Sequence, residues 1–388
     1  MARKSGIVLA PVLLALALVP GSAALAATTA PAAPAACTSW VTMSSRNPSA
    51  GDNNLYAVAA ASASNVWAVG EYFVGVDTRT LIEHWDGRTW KTISSPNKGS
   101  DAELKSVYVV SATNVWAVGD YYNGTAGRTL VEHWNGTSWK IVFSPNVGAG
   151  SNGLTAVRGT SGHDIWAVGD AVTSYPIAKT VILHWNGRSW KRVTSPNVAN
   201  RPNFLAAVRP VSATNVWAVG RYVPSGGGSK TLTLHLTHGH WRIVSSPNGS
   251  PGSSTLNGVL GTSVASAWAA GEYYNGSTDR TLLLHWNGRK WLKTASPNVG
   301  GDEDDLYAIG GTSAANIYAV GADYRATGSH VLIEHWNGSH WRVLAGRNPN
   351  QGYNVFNSVF ALSARSIWAV GITATTTGHN HTLIEHCR

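Results

Sequence analysis

One phrase recurs along the chain: NVWAVGEY at Asn65, NVWAVGDY at Asn114, DIWAVGDA at Asp164, NVWAVGRY at Asn215, SAWAAGEY at Ser266, NIYAVGAD at Asn316 and SIWAVGIT at Ser366. Measured on Trp67, Trp116, Trp166, Trp217, Trp268, Tyr318 and Trp368, successive copies are 49 to 51 residues apart. A period of this length marks stacked supersecondary units, none of which can bury its apolar faces alone. So even a spacing leaves little room for a second domain.

Inside a period, apolar residues alternate with period two and are cut by turn residues, as short strands require. In the second copy, LKSVYVV, VWAVGDYY, RTLVEHW and TSWKIVFS read as strands A to D of one antiparallel sheet. Four such strands make one blade, and seven periods predict an all-β, seven-bladed β-propeller. Between C and D, Asn135 and Gly136 form a two-residue hairpin signal in which both positions tolerate positive φ. The pair returns at Asn186, Asn287 and Asn337, with Asp86 and Gly87 in the first copy. Alternation sets Leu130, Glu132 and Trp134 on one face of strand C and Thr129, Val131 and His133 on the other. Trp134 and Trp139 then meet across the turn. Blades packed on both faces account for 18 Trp, 41 Gly and only 13% charged residues.

The two ends of the repeat array are halves of one blade. HTLIEHC, ending at Cys387, lacks a strand D, while TSWVTMSSRNPSAGDNN (Thr38 to Asn54) precedes the first strand A and matches TSWKIVFSPNVGAGSNG (Thr137 to Gly153). Aligning Trp40 with Trp90 puts Cys37 at the Gly87 position; aligning His386 with His84 puts Cys387 at the Trp85 position. The N-terminal strand is therefore expected to complete the last blade, with a Cys37 to Cys387 disulfide across the cut hairpin, as an oxidising compartment allows.

Upstream, MARKSG carries Arg3 and Lys4, IVLAPVLLALALVPG is apolar but too short and interrupted to span a bilayer, and ALAA offers a cleavage site near Ala26. Residues 1–27 are expected to be a secretory signal peptide, 28–36 an extended Pro/Ala-rich linker, and 37–388 the propeller of an exported, extracellular protein. No transmembrane segment is expected. The formal charge of +9 falls to +7 without Arg3 and Lys4, 27 cations against 20 anions. That balance suits an anionic cell-surface polymer, and it equally serves simple solubility, since the charges are scattered singly. Nucleic acid is not an expected partner, and the protein is expected to be a monomer.

The repeat VWAVG…TLxEHWNGxxW…SPN resembles that of secreted bacterial proteins identified as seven-bladed β-propellers, related in shape to the kelch and galactose oxidase group. The resemblance runs from Cys37 to Cys387 and implies architecture. The chain lacks the paired glycines of kelch after strand B and the terminal Trp-Asp of WD repeats, so no catalytic residue is carried over.

In this topology the B–C loops and D–A linkers emerge on one face, and the short A–B and C–D turns on the other. The first face has variable loops, FVGVDTR, YNGTAGR, VTSYPIAK, VPSGGGSK, NGSTDR, RATGSH and TATTTGHN. Variable loops on a rigid scaffold are where binding is expected. Ligand-binding candidates there are Tyr122, Tyr274 and Tyr324, whose rings suit sugar stacking; Arg221, which replaces the acid found elsewhere at the end of strand B; and Asp302 and Asp305 of GDEDD (Gly301 to Asp305). That acidic loop is also a Ca²⁺ candidate through oxygen ligands, set against a simple solvated loop. No other cofactor or metal is expected. His238 and His240, in the turn that breaks the pattern in the fourth copy, lie on the opposite face.

A histidine in every copy (His84, His133, His184, His235, His285, His335, His386) signals packing, since catalysis needs one or two and not seven. Glu71 with Arg79, Asp120 with Arg128, Asp170 with Lys179 and Glu272 with Arg280 read as cross-strand ion pairs. No pair of carboxylates departs from the repeat pattern, so a non-catalytic binding protein for a glycan or surface polymer is the first expectation. An extracellular carbohydrate-active lyase or hydrolase, and an envelope protein-interaction scaffold, are the alternatives.

Overall fold

The computed structural model describes residues 36–388 apart from 175–176, 301 and 376–377. The expected signal peptide, and the linker except Ala36, lie outside the described residues. Seven four-stranded antiparallel sheets follow one another. In the first blade, strand A is Asn53–Ser62, B is Asn65–Val74, C is Asp77–Trp85 and D is Trp90–Thr92. Each strand A touches the strands A of both flanking blades, the seventh meeting the first, so the ring closes around a central channel.

Strand D is shorter than its sequence suggests: the second blade's runs only over Trp139–Ile141. The proline of SPN cannot extend the ladder, and the asparagine after it takes over the pairing. Asn146 Oδ1 accepts from the Thr129 backbone N–H at 3.0 Å, and the same bond joins Asn47 to Thr382, Asn97 to Thr80, Asn197 to Thr180, Asn248 to Thr231, Asn298 to Thr281 and Asn348 to Val331. The C–D turns also depart from expectation. Gly136 has φ of 97°, but Asn135 does not enter the positive region; its Oδ1 accepts from the N–H groups of Thr137 and Ser138 at 3.0 Å, an Asx turn. The turn with two positive φ values occurs in the fourth blade, at His238 (51°) and Gly239 (76°).

Blades adhere through tryptophan. Trp67 on strand B of blade 1 meets Trp134 (5.2 Å between centroids) and Trp139 (5.4 Å, edge-on) of blade 2, and Trp368 of blade 7 meets Trp85 and Trp90 of blade 1 in the same way. Among the described residues, the strand-D indoles Trp90, Trp139, Trp190, Trp241, Trp291 and Trp341 have buried N–H groups without a hydrogen-bond partner. Each of these rings meets a neighbouring blade's strand-B ring in a T-shaped contact at 75–81°, a favoured aromatic geometry.

Each repeat histidine lies on the strand-B ring of its own blade: His133 stacks on Trp116 at 4.2 Å, with its Nε2 3.0 Å from Asn114 Oδ1. The structure thus gives the sevenfold histidine a place in blade packing. His133→Ala should cost about 2 kcal/mol, one hydrogen bond and one ring contact, with unchanged far-UV circular dichroism; a melting curve matching wild type would show the stack contributes nothing.

The ring closes as the two ends imply. Trp40–Thr42 pairs with the last strand, Trp40 opposite Cys387, and Cys37 and Cys387 are joined by a disulfide. Blade 6 is adapted to it. Where other blades present Trp, Tyr318 faces the disulfide, fully buried, and its hydroxyl accepts from the Cys37 N–H at 2.9 Å. A tyrosine is smaller than an indole and brings an acceptor to the backbone beside the bridge.

Candidate channel-mouth site

Every strand A carries a β-bulge, at the residue after Leu55, Leu104, Leu154, Leu205, Leu256, Leu306 and Phe356. A bulge re-aims the extra side chain and kinks the strand. Here the bulged residues Tyr56, Lys105, Thr155, Ala206, Asn257, Tyr307 and Asn357 all line the central cavity, of about 260 Å³. The bulge also explains the glycine of VWAVG. A Cβ on Gly70 would lie 1.9 Å from the Asn54 carbonyl oxygen, and Gly119, Gly169, Gly220, Gly271, Gly321 and Gly371 are equally crowded.

The bulged side chains divide by what they touch. Thr155, Asn257 and Asn357 donate to the carbonyl of Leu205, Leu306 and Leu55 in the next blade, bracing the ring. Tyr56, Lys105 and Tyr307 engage acids, as Asn257 also does through a 2.6 Å bond to Glu272. Tyr56 Oη donates to Glu71, which also accepts from Asn54; Lys105 Nζ lies 2.7 Å from Asp120 and 2.8 Å from Glu103; Tyr307 Oη donates to Asp305 at 3.1 Å and lies 2.9 Å from Tyr324 Oη.

The acids ending strand B are therefore not paired with the bases beginning strand C. Glu71 stands opposite Thr80, and Arg79 opposite Tyr72; one step of register puts the two side chains on opposite faces. Asp120 and Arg128, Asp170 and Lys179, and Glu272 and Arg280 are offset in the same way. The acids point to the channel side, whereas Arg128 reaches the carbonyls of Ala149 and Gly150, and Arg280 reaches Asp304.

Glu103 and Asp120 thus bind Lys105, Glu71 and Asp170 act on this cluster electrostatically, with Arg221 acting on Asp170, and Glu272 and Asp305 form a separate acidic pair. Burial pushes Glu272 up to about 8, with the nearby Asp305 adding to it. Burial likewise lifts Asp305 and Asp170 to about 6 and raises Glu103. Burial opposes charge on Lys105, but Asp120 and Glu103 outweigh it and hold the ammonium above its ordinary range.

Of the residues singled out in the sequence, the structure brings Tyr324, Asp305 and Arg221 to this mouth; Arg221 lies over the Phe204 ring at 4.9 Å and acts electrostatically on Asp170. Tyr122 and Tyr274 are the last residues of their strands B, each 40% exposed, and Asp302 is exposed beside the Tyr324 carbonyl. The acidic loop disperses. Asp304, on the opposite face from Asp305, is buried against Arg280 and the Val299 N–H. Among the described residues, no group of three or more His, Cys, Asp or Glu is placed to hold a metal ion. His238 and His240 sit on the short-turn face. Also among the described residues, no helix is long and apolar enough to cross a membrane.

No protein-family model matches the chain, and no curated protein matches it. Solved structures do. One described as YCF48 bound to D1 peptide aligns with TM-score 0.55 and 15% identity over 93% of this chain and 99% of that one. YCF48 from Cyanidioschyzon merolae aligns at 0.53 and 12%, over 90% and 98%. A polysaccharide lyase described as an ulvan lyase aligns at 0.51 and 9%, over 91% and 94%. At these identities the likeness shows the propeller fold alone.

Proposed function

We propose that the protein is an exported, non-catalytic glycan-binding module whose site is the loop-face mouth of the channel. One observation carries this reading: seven bulges of the same geometry present different side chains at one level. A scaffold needs its copies alike; a recognition surface needs them to differ. Six carboxylates, the Tyr307–Tyr324 pair and Asn257 are acceptors and donors suited to the hydroxyls of a neutral sugar or the ammonium of an amino sugar. Their charge disfavours an anionic polymer at this end. That the propeller fold serves a peptide-bound protein and a polysaccharide lyase is compatible with binding at such a mouth.

The test is an array of neutral and amino-sugar oligosaccharides, followed by calorimetry on the best ligand. Tyr307→Phe should weaken it about tenfold, the worth of one hydrogen bond, with melting near wild type, whereas Asn257→Ala should weaken it and also lower melting, since Asn257 braces the Leu306 carbonyl of the next blade. Retention of no glycan, or loss only in Tyr122→Ala and Tyr274→Ala, would overturn the assignment.

Glu272 and Asp305 favour a second reading. Neighbouring carboxylates held at about 8 and about 6 place a neutral acid beside a charged base near neutrality, the division of labour of general acid–base catalysis. Release of new reducing ends from the bound glycan by wild type, but not by Glu272→Gln, would make the protein an enzyme.

A further inference from the structure

Three residues beyond each bulge, strand A presents a second ring to the channel: Ala59, Tyr108, Arg158, Arg209, Leu260, Gly310 and Phe360. Four of the seven are apolar or glycine, so the repeat needs no polar group at this level. Arg158 and Arg209 nevertheless stand on adjacent blades, both partly buried and lining the same cavity. Neither makes an ion pair among the described residues. Arg158 Nη1 is held by Ser106 Oγ at 3.2 Å and by the Val107 and Val157 carbonyls at 2.9 and 2.7 Å. Arg209 makes no hydrogen bond among the described residues. Burial weakens the charge on both, and each guanidinium's field reaches Tyr108, with Arg209 further disfavouring the charge on Arg158. The carboxylate that also acts on Tyr108, Asp164, is already engaged by His184 at 2.7 Å and by the Trp166 N–H at 3.2 Å.

Two like charges set side by side in a partly dehydrated channel oppose folding unless something answers them. We propose that Arg158 and Arg209, with the Tyr108 hydroxyl, form a binding site for one oxyanion: the carboxylate, sulfate or phosphate group of a small solute or of a polymer terminus. A planar fork with several N–H donors is suited to such a group. The approach is from the short-turn face. A second cavity, of about 380 Å³, runs from the two arginines past Val109 and Val211 to the exposed Thr160 at that end, while the other mouth is ringed by acids that repel anions. The arginines line the same central cavity as the bulged residues, three positions further along strand A, and take a ligand of opposite character.

The probes are sulfate, inorganic phosphate and D-glucuronate, titrated by calorimetry into the full propeller at low ionic strength. At least one should bind, and the preferred one names the group, a carboxylate or a tetrahedral ester. Arg209→Leu, which installs the residue blade 5 carries naturally, should weaken binding at least about tenfold, without lowering the melting temperature in the absence of anion. Arg209→Lys should recover only part of it. No heat from any probe, or equal affinity in Arg209→Leu, would overturn the proposal.

Discussion

Replacing both cysteines by serine should lower the melting temperature by about 7 °C while leaving the propeller folded. The bridge spans 350 residues, and the chain-entropy relation gives about 5–6 kcal/mol for a loop that long; for a domain of this size such a loss spreads over a large unfolding entropy. The fold should survive because six blades are complete without the bridge and the seventh has other anchors. Arg347 Nε donates to the Trp40 carbonyl at 2.6 Å, and Trp40 packs on Phe356. Adding reductant to the native protein is a poorer test, since Cys387 is fully buried and Cys37 nearly so. Calorimetry on the double variant, with proteolysis near residues 36–52 to report fraying, decides the matter. Melting within 1 °C of wild type would mean that the bridge constrains nothing the blades have not already constrained.

Closure of the ring was legible because it is a counting problem: a split copy of a repeat has one place to go. The orientation of the strand-B acids is legible too. With Trp67 opposite His84, register alone puts Glu71 against Thr80, so pairing it with Arg79 confuses nearness along a hairpin with sharing a face. The bulge left a fainter trace. Leu55 and Val58, and their counterparts to Phe356 and Val359, are buried at a spacing of three where a regular strand requires two or four. Once that extra residue is seen, the position after each leucine stands out as variable between constant neighbours. Two features had no local signal: the asparagine of SPN acting as a substitute for strand D, and Tyr318 as the fit for the disulfide. Both depend on partners that only the closed ring brings near.

Stability should hold between about pH 5 and 6.5 and fall steadily toward pH 8.5, and Glu132→Leu should remove part of that fall. Glu83, Glu132, Glu334 and Glu385 on strand C have no exposed surface. Burial pushes the first three up to about 8 and Glu385 to about 7. A carboxyl whose folded pKa lies above its unfolded value binds its proton more tightly in the fold. Its contribution is complete below about pH 4.5 and is lost as pH rises through 7 and 8. The histidines act in the opposite sense. Burial holds His235, His335 and His386 near 4, so their contribution is present above about 6.5 and lost in acid. The two sets offset one another in the middle and leave the alkaline decline to the glutamates. Blades 3, 4 and 5 already place Leu183, Leu234 and Leu284 at this position, each fully buried, so leucine fits the site. Ser95, which donates to Glu132 at 2.7 Å, keeps Thr80 as a partner at 2.9 Å. The variant should therefore be more stable than wild type at pH 8.5, by on the order of 3 kcal/mol, with the gap closing toward pH 4.5. Denaturant melts across pH 4.5 to 9 measure it directly. Parallel curves for the two proteins would show that Glu132 is already ionised in the fold and that the space between blades is wetter than its burial implies.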